Sequence, residues 1–258
     1  MTAVSSSGPS PELRRLVAQP EAVHVGELLA SLNLASRAHL ERPYTIVNFV
    51  SSADGRAAFQ GRSRDLSDPG DRQMFHGLRE HVDAILVGAG TLRTERYGRL
   101  VRDPERRHRR AASGLSPEPL ACIFSRSGNI PTDIPLFAEP AARVVVFTPA
   151  LLDTSALAAQ VAVVHLNPGE FTLTTMMRRL RSGYDVRSLL CEGGPTMFGA
   201  LLREALVDEL FLSLAPKLVG GGTAPGITRG EPLSELRKLT LVWAIESDSS
   251  LYLRYSVH

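Results

Sequence analysis

Short runs of valine, isoleucine and leucine recur along the chain between residues 44 and 193. Runs that are apolar at nearly every position are typical of strands buried on both faces, as in a parallel sheet. The pattern predicts six such strands, at residues 44–52, 84–89, 120–125, 143–148, 161–166 and 187–193.

Segments with a helical spacing of apolar residues lie between these runs. In one of them Phe75, Leu78 and Val82 fall on a single stripe. The alternation of strands and helices favours an α/β fold with three layers, α/β/α, around a mostly parallel sheet. The predicted helices are at residues 67–81, 153–160, 171–182 and 195–206.

The C-terminal part of the chain has a different pattern. Residues 238–247 and 249–257 are strand-like and flank a short polar link at Asp248, which predicts an antiparallel hairpin added to the sheet. The apolar segment 207–220 either fills the core or forms an interface, and the sequence leaves both alternatives open.

The chain divides into three parts by composition. Residues 1–12 are rich in Ser, Pro and Gly and are expected to form a disordered tail. Residues 13–42 are expected to form an N-terminal helical extension, and residues 43–258 a single domain. The N-terminus lacks the order of a signal peptide and no apolar run is long enough to span a bilayer, so we expect a cytoplasmic protein without membrane partners.

The overall charge gives little reason to expect nucleic acid as a partner. Lys plus Arg is 29 and Asp plus Glu is 27, a net charge of +2. Within the arginine-rich stretch 99–110, Arg102 lies near the 91–95 turn and is a candidate for holding a substrate phosphate. The other arginines of that stretch are interpreted as a solvated loop: Arg106, Arg107, Arg109 and Arg110. Histidine and cysteine show no ligand spacing, so no metal is expected.

The segment around Glu192 combines a buried strand end, two glycines and a proline. Gly193 and Gly194 allow a tight turn, and Pro195 suits the first turn of a helix. Free amides at such a helix start favour an anion such as a pyrophosphate, beyond the strand ends where α/β proteins bind ligands. A plain strand-to-helix turn explains the same residues equally well.

A second glycine-bearing turn follows the predicted strand at 84–89. Gly88 and Gly90 begin a dinucleotide fingerprint, but Arg93 stands where its third glycine belongs. A standard Rossmann match therefore fails. A nucleotide laid across the sheet edge, with Thr91 and nearby amides donating to phosphate, remains compatible with the turn.

Two polar residues follow the first strand. Asp54 and Gly55 favour a tight turn, which is the simplest explanation of both. The functional interpretation places Ser52 and Asp54 in the same crevice as Glu192. Desolvation there raises the pKa of a carboxyl group, so Asp54 and Glu192 are the candidate catalytic carboxylates, as proton donor or substrate anchor.

Three stretches in this order resemble the reductase domain of bacterial riboflavin-biosynthesis pyrimidine deaminase/reductases, over roughly residues 43–258. They are SSADGR (51–56), LREHVDAILVGAGTLRTE (78–95) and LCEGGPTMFGALLREALVDELFLSLAPKLVGGG (190–222). The resemblance implies a dihydrofolate-reductase-like fold and a homodimer. It also implies that NADPH donates a hydride to 5-amino-6-(5-phosphoribosylamino)uracil.

The resemblance also assigns site residues by position. The residues expected to contact NADPH include the two glycines of the second turn. They are Gly88, Gly90, Thr91, Glu95, Ser125, Arg126, Gly193, Gly194, Pro195, Thr196, Met197 and Phe198. The residues expected to contact the substrate include Asn48 and Ser52 of the first strand. The others are Ser63, Arg79, Arg102 and Glu192.

The sequence departs from the family pattern in three respects. The zinc deaminase half has no counterpart, so only the reduction is expected. Asn48 stands where many bacterial members carry a lysine, and Asp65 replaces an aromatic residue near the cofactor. Two alternatives stay open: reduction of dihydrofolate, with Asp54 or Glu192 holding the pterin, and a non-catalytic protein that binds nucleotides or nucleic acid through the arginine-rich stretch.

Overall fold

The computed structural model describes residues 22–258. The expected tail at 1–12 and the first residues of the helical extension at 13–42 lie outside the described residues. The strands are β1 (Tyr44–Ser52), β2 (Ala84–Gly88), β3 (Leu120–Phe124), β4 (Arg143–Thr148), β5 (Gln160–His165), β6 (Ser188–Cys191), β7 (Glu209–Ala215), β8 (Leu239–Ser247) and β9 (Ser250–Val257). The α-helices are α1 (Val25–Ala30), α2 (Pro69–Glu80), α3 (Ala89–Glu95), α4 (Pro104–Ala112), α5 (Leu173–Gly183) and α6 (Pro195–Arg203).

One sheet of nine strands runs through the molecule in the order β5-β4-β3-β2-β6-β1-β7-β9-β8. The first seven strands of that order pair in parallel, and β9 and β8 pair antiparallel at one edge. The predicted mostly parallel sheet with a C-terminal antiparallel hairpin is therefore confirmed. Because β2 and β6 are neighbours, the two glycine-bearing turns that follow them lie side by side.

Helices cover both faces of the sheet, which confirms the predicted α/β/α layers. On one face Leu29 of α1 and Leu78 of α2 join a core cluster with Ile85 of β2. On the other face Met176 of α5 and Leu201 of α6 lie in a second cluster. Alternate strand residues enter the two clusters, as buried strands between two helical layers require.

The helix predicted at residues 153–160 is wrong. The Asp153 carboxylate accepts a hydrogen bond from the Ser155 amide at 2.9 Å, which closes a local turn. The amides of Ala158 and Ala159 then donate to the Phe137 carbonyl, and β5 begins at Gln160. Side-chain capping and a long-range backbone contact thus overcome the local helical pattern.

The solvated loop predicted for the arginine-rich stretch is also wrong, because Pro104–Ala112 forms α4. Asp103 caps the helix by accepting from the Glu105 amide, and Pro104 occupies its first turn. Arg106 and Arg109 both pair with Glu80 of α2. These guanidinium groups are held by protein acceptors, so the stretch is not a free basic surface and the nucleic-acid alternative loses its main support.

The segment 207–220, for which the sequence left two alternatives, contributes β7 to the interior of the sheet. β7 lies between β1 and β9, and its Phe211 is 1% exposed. Its first residue, Glu209, pairs with Arg37 and Arg254, while Asp208 pairs with Arg42. The pairs with Arg37 and Arg42 connect the chain that precedes β1 to the start of β7, and the pair with Arg254 connects β7 to β9. Within residues 22–258 no helix is long and apolar enough to cross a membrane.

Candidate active site

An open cleft of about 1580 Å³ lies beyond the carboxyl ends of β2, β3 and β6. This is the edge at which α/β sheets bind ligands. Its volume exceeds that of pockets for a single small ligand, so there is room for a dinucleotide beside a second molecule. Predicted site residues in its wall are Asn48, Ser63, Arg79, Gly88, Gly90, Thr91, Glu95, Arg102, Arg126, Glu192, Gly193, Gly194, Pro195, Thr196 and Met197.

The two glycine turns touch each other at the base of this cleft. A Cβ atom on Gly193 would lie 2.7 Å from the Gly88 nitrogen and 2.9 Å from the Val87 Cα. A Cβ on Gly194 would lie 3.1 Å from the Thr91 Oγ1, and Gly194 has a φ of +72°. Contact between the two backbones thus requires glycine at 193, and backbone conformation favours it at 194.

The start of α6 faces the cleft with uncapped amides. Gly194 is the N-cap residue and supplies no side chain, so the amides of Thr196 and Met197 in the first turn have no side-chain acceptor among residues 22–258. Phe198 was wrongly predicted to contact the cofactor. Its amide donates to the Gly194 carbonyl, and its ring stacks on Phe49 in the core, 2% exposed.

Glu192 is held by two neighbours in the wall of the cleft. Arg79 of α2 donates from Nε to Oε1 at 2.6 Å and from Nη2 to Oε2 at 2.7 Å. Tyr97 donates from its hydroxyl to Oε2 at 2.9 Å. The side chains of Arg79 and Glu192 are 9% and 1% exposed, so the pair is buried. Glu192 is therefore an ion-paired carboxylate and not a free proton donor. The other role predicted for it, that of a substrate anchor, stays a prediction.

Tyr97 is a site residue that sequence reasoning missed, because a single tyrosine after α3 carries no motif. Burial, followed by the negative charge of Glu192, raises the pKa of Tyr97 well above its ordinary value. Burial disfavours the charged form of Arg79 and so lowers its pKa. The adjacent Glu192 carboxylate outweighs this effect and raises the pKa of Arg79 above its usual range. Both shifts indicate strong coupling among these three side chains.

A cationic wall extends from Arg79 along the cleft. Arg102 lies in it, and its predicted contact with a substrate phosphate stays a prediction. Arg107 of α4 fixes the backbone there by donating to the Arg102 carbonyl at 2.7 Å. Ser63 donates to Glu95 at 3.3 Å. The cleft also contains five basic residues that the sequence analysis did not assign: Arg64, Arg72, His76, Arg99 and Arg203. Burial, then the nearby charge of Arg79, lowers the pKa of His76.

Asn48 presents an unsatisfied amide to the cleft. It lies on β1, 9% exposed, and its Oδ1 has no hydrogen-bond partner among the described residues. Val47 pairs with Cys191, so Asn48 and Glu192 occupy adjacent positions on neighbouring strands and face the same side of the sheet. A buried acceptor of this kind needs a donor, and a bound ligand can supply it.

The structure contradicts the roles predicted for Ser52 and Asp54, neither of which lines the cleft. Ser52 is fully buried and donates to Asp54 Oδ1 at 2.5 Å. Asp54 also accepts from the amides of Val219 and Gly220 at 3.1 and 2.8 Å. The Ser52 hydroxyl, then these amides, lower the pKa of Asp54 to about 2, so it is no proton donor. The dihydrofolate alternative loses Asp54 as its pterin anchor.

At the far end of the cleft Arg126 lies over the ring of Phe171, 4.8 Å from its centroid. Phe171 stacks in turn on Phe124, with centroids 4.0 Å apart. Ser125 was wrongly predicted to contact the cofactor, because it is buried and its amide donates to the Phe147 carbonyl.

Among residues 22–258 no group of three or more His, Cys, Asp or Glu side chains is arranged to hold a metal ion.

Comparison with known proteins identifies the family. The model of the RibD C-terminal domain matches residues 43–251. The chain belongs to this family. Its members with similar sequences include the 2,5-diamino-6-ribosylamino-4(3H)-pyrimidinone 5′-phosphate reductase of Archaeoglobus fulgidus, 29% identical, covering 74% of this chain and 88% of that protein. The riboflavin biosynthesis protein RibD of Mycobacterium tuberculosis is 31% identical, covering 76% of this chain but 50% of that protein.

Solved structures agree with the family assignment. A pyrimidine reductase-like protein from Corynebacterium diphtheriae superimposes with a TM-score of 0.76 at 24% identity, covering 92% of this chain and 99% of that one, and shows the shared fold. The RibD of Acinetobacter baumannii has a TM-score of 0.69 at 25% identity, covering 85% of this chain and 59% of that one. The resemblance and the fold class predicted from the sequence are thus both confirmed.

Proposed function

We propose that this protein is an NADPH-dependent reductase of a 6-ribosylaminopyrimidine 5′-phosphate in riboflavin biosynthesis. The observation that carries the proposal is a single cleft that joins an uncapped helix start to an arginine-lined wall. A dinucleotide pyrophosphate suits the first feature and a sugar phosphate the second. Membership of the RibD C-terminal domain family supports the pairing of the two.

The residues of the glycine turns fit a nicotinamide dinucleotide. Gly193 and Gly88 bring two main chains together without side chains, and the amides at the start of α6 are open to a pyrophosphate. Arg126, displayed over an aromatic ring, suits the additional phosphate of NADPH. Glu95 offers a carboxylate to a ribose hydroxyl. When bound, the cofactor supplies the hydride.

The opposite wall fits a phosphorylated substrate. Three of the N–H groups of Arg79 are already used by Glu192 and the Leu100 carbonyl, so Arg102 is the better phosphate ligand. Glu192 and Asn48 lie side by side and offer acceptors to ring or exocyclic N–H groups of an aminopyrimidine. The protein's part in the reaction is then to orient the sugar carbon and to hold the ring.

The pyrimidine itself is proposed to be the 2,5-diamino-4(3H)-pyrimidinone named for the relative from A. fulgidus. The uracil compound expected from the sequence differs from it at ring position 2, with a carbonyl in place of an amino group. The Oδ1 of Asn48 is an unused acceptor, which an amino group satisfies directly. A carbonyl there requires the Asn48 amide to turn and present its NH₂ group.

The test is steady-state NADPH oxidation by the purified protein with each of the two pyrimidine phosphates and with dihydrofolate. We expect turnover of both pyrimidines, with the higher kcat/KM for the diamino compound. Arg102→Gln should raise KM for the phosphorylated substrate about tenfold or more, since it removes a charged phosphate ligand. Arg109→Gln, which alters an arginine outside the cleft, is the matched control. Turnover of dihydrofolate alone would contradict the proposal.

We also propose that the protein forms a homodimer through the antiparallel edge of its sheet. β8 is the outermost strand, and an exposed edge strand presents unpaired backbone groups to a second copy. Large apolar side chains are displayed on the β8–β9 hairpin: Leu239, Leu241, Val242 and Leu251, each 39–46% exposed.

A further inference from the structure

The hydrogen bonds to Glu192 use most of its acceptor capacity. An ionised carboxylate has about four lone-pair positions, two on each oxygen. Arg79 uses one position on each oxygen, and the Tyr97 hydroxyl uses a second position on Oε2. One acceptor position therefore remains, and it is on Oε1.

We propose that Tyr97 is a positioning residue that occupies one acceptor position on Oε2 of Glu192 and leaves Oε1 with the one remaining acceptor for a substrate N–H group. This inference rests on the proposed reductase function. Without the Tyr97 hydroxyl, Oε2 would offer a second acceptor position of similar strength, and the substrate ring would have two competing poses. The tyrosine thus selects a single orientation of the ring relative to the hydride donor.

Tyr97 is itself held in place from three directions. Its carbonyl accepts from the Leu136 amide at 2.9 Å, which fixes its backbone. Its ring lies 5.4 Å from the Arg79 guanidinium carbon, and it belongs to the edge of the core cluster around α2. A side chain restrained in this way loses little further entropy when it orients a neighbour.

Titratable groups from three elements lie next to this carboxylate or to Tyr97. α2 contributes Arg79 and His76, α3 contributes Glu95, which acts on Tyr97, and β6 contributes Cys191, whose pKa burial raises to about 12. Arg79 stays charged throughout the accessible pH range, and the Cys191 thiol stays neutral there. Tyr97 supplies the one neutral donor to the carboxylate, so its removal changes the hydrogen bonding while every neighbouring charge is retained.

The test is Tyr97→Phe, which removes the hydroxyl and retains the ring. With a second acceptor position free on Oε2, the bound ring has two poses, only one of which suits hydride transfer. We expect kcat to fall about tenfold while KM for the pyrimidine phosphate changes less than about threefold. In NMR spectra of the isotope-labelled pyrimidine phosphate bound without cofactor, the wild type should give one set of bound-ring signals and Tyr97→Phe two.

Tyr252→Phe is the matched control. Tyr252 is 5% exposed and also donates to a carboxylate, Asp68 Oδ1 at 2.7 Å, but it lies outside the cleft. Tyr252→Phe should therefore retain the wild-type kcat and the single set of bound-ring signals. The proposal is overturned when Tyr97→Phe keeps the wild-type kcat and a single set of bound-ring signals. A wild type that binds the pyrimidine phosphate in one pose but oxidises no NADPH refutes the reductase function, and a second pose in Tyr97→Phe then still supports the positioning inference.

Discussion

Gly193 and Gly90 lie in the two turns at the base of the cleft but meet different surroundings. The position of a Cβ on Gly193 is occupied by backbone atoms of Val87 and Gly88, which cannot rotate away. A Cβ on Gly90, inside α3, has no atom within 4 Å. The sequence predicts a role for both glycines, but the contact between the turns distinguishes them.

Gly193→Ala should lower the free energy of unfolding by about 1–3 kcal/mol, because overpacking of two backbones forces β2 and β6 apart. Chemical denaturation monitored by circular dichroism measures this change. Gly90→Ala is the control and should be at least as stable as the wild type, since alanine is favoured in a helix by up to about 1 kcal/mol. Equal stability of the two variants would show that the close approach of the two turns does not require glycine at position 193.

At the level of elements, α4 supports the end of α2 that carries Arg79. The Nη1 of Arg110 donates to the carbonyls of Arg79, Glu80 and Val82, and its Nε donates to the Ser116 carbonyl. The carbonyls of Arg79 and Glu80 are at the C-terminus of α2, where carbonyl groups lack partners within the helix. Arg110 is fully buried, and burial lowers its pKa to about 10. A stretch whose composition predicted a solvated loop thus contains the largest fully buried side chain of the part of the chain that the structure describes.

Arg110→Met should lower the free energy of unfolding by about 1–3 kcal/mol or more, because several buried carbonyls lose their donor. Arg109→Met serves as the comparison, since Arg109 is 55% exposed and exposed ion pairs contribute about 1 kcal/mol or less. Urea unfolding of the two variants measures the difference. A smaller loss for Arg110→Met than for Arg109→Met would contradict the capping role.

For the whole molecule, the edge formed by β8 is the surface through which the proposed homodimer is expected to form. β8 displays Leu241 and Val242, and the register shift between Leu241 and Trp243 marks a bulge in its pairing with β9. Pairing or packing of two such hairpins buries apolar area that a single chain leaves in water. The cleft lies beyond other strands of the sheet, so dimer formation leaves it open.

Leu241→Lys combined with Val242→Glu should convert a dimer into a monomer, because both changes place charge in an apolar contact. Size-exclusion chromatography with light scattering measures the mass. Leu151→Glu is the control, since Leu151 is 92% exposed and follows β4, far from β8 in the strand order. A wild type with the mass of one chain would remove the dimer from the proposal.

The sequence by itself determined the alternation of strands and helices, the hairpin at the C-terminus and the two glycine turns at strand ends. These features follow from periodicity and turn chemistry, which act over a few residues. Only the tertiary structure decided which carboxylate faces the cleft. Arg79 and Glu192 are 113 residues apart in the chain, and Tyr97 is 95 residues from Glu192. Their meeting depends on β2 and β6 being neighbours, and strand order is set by packing of the whole sheet, which no local pattern records.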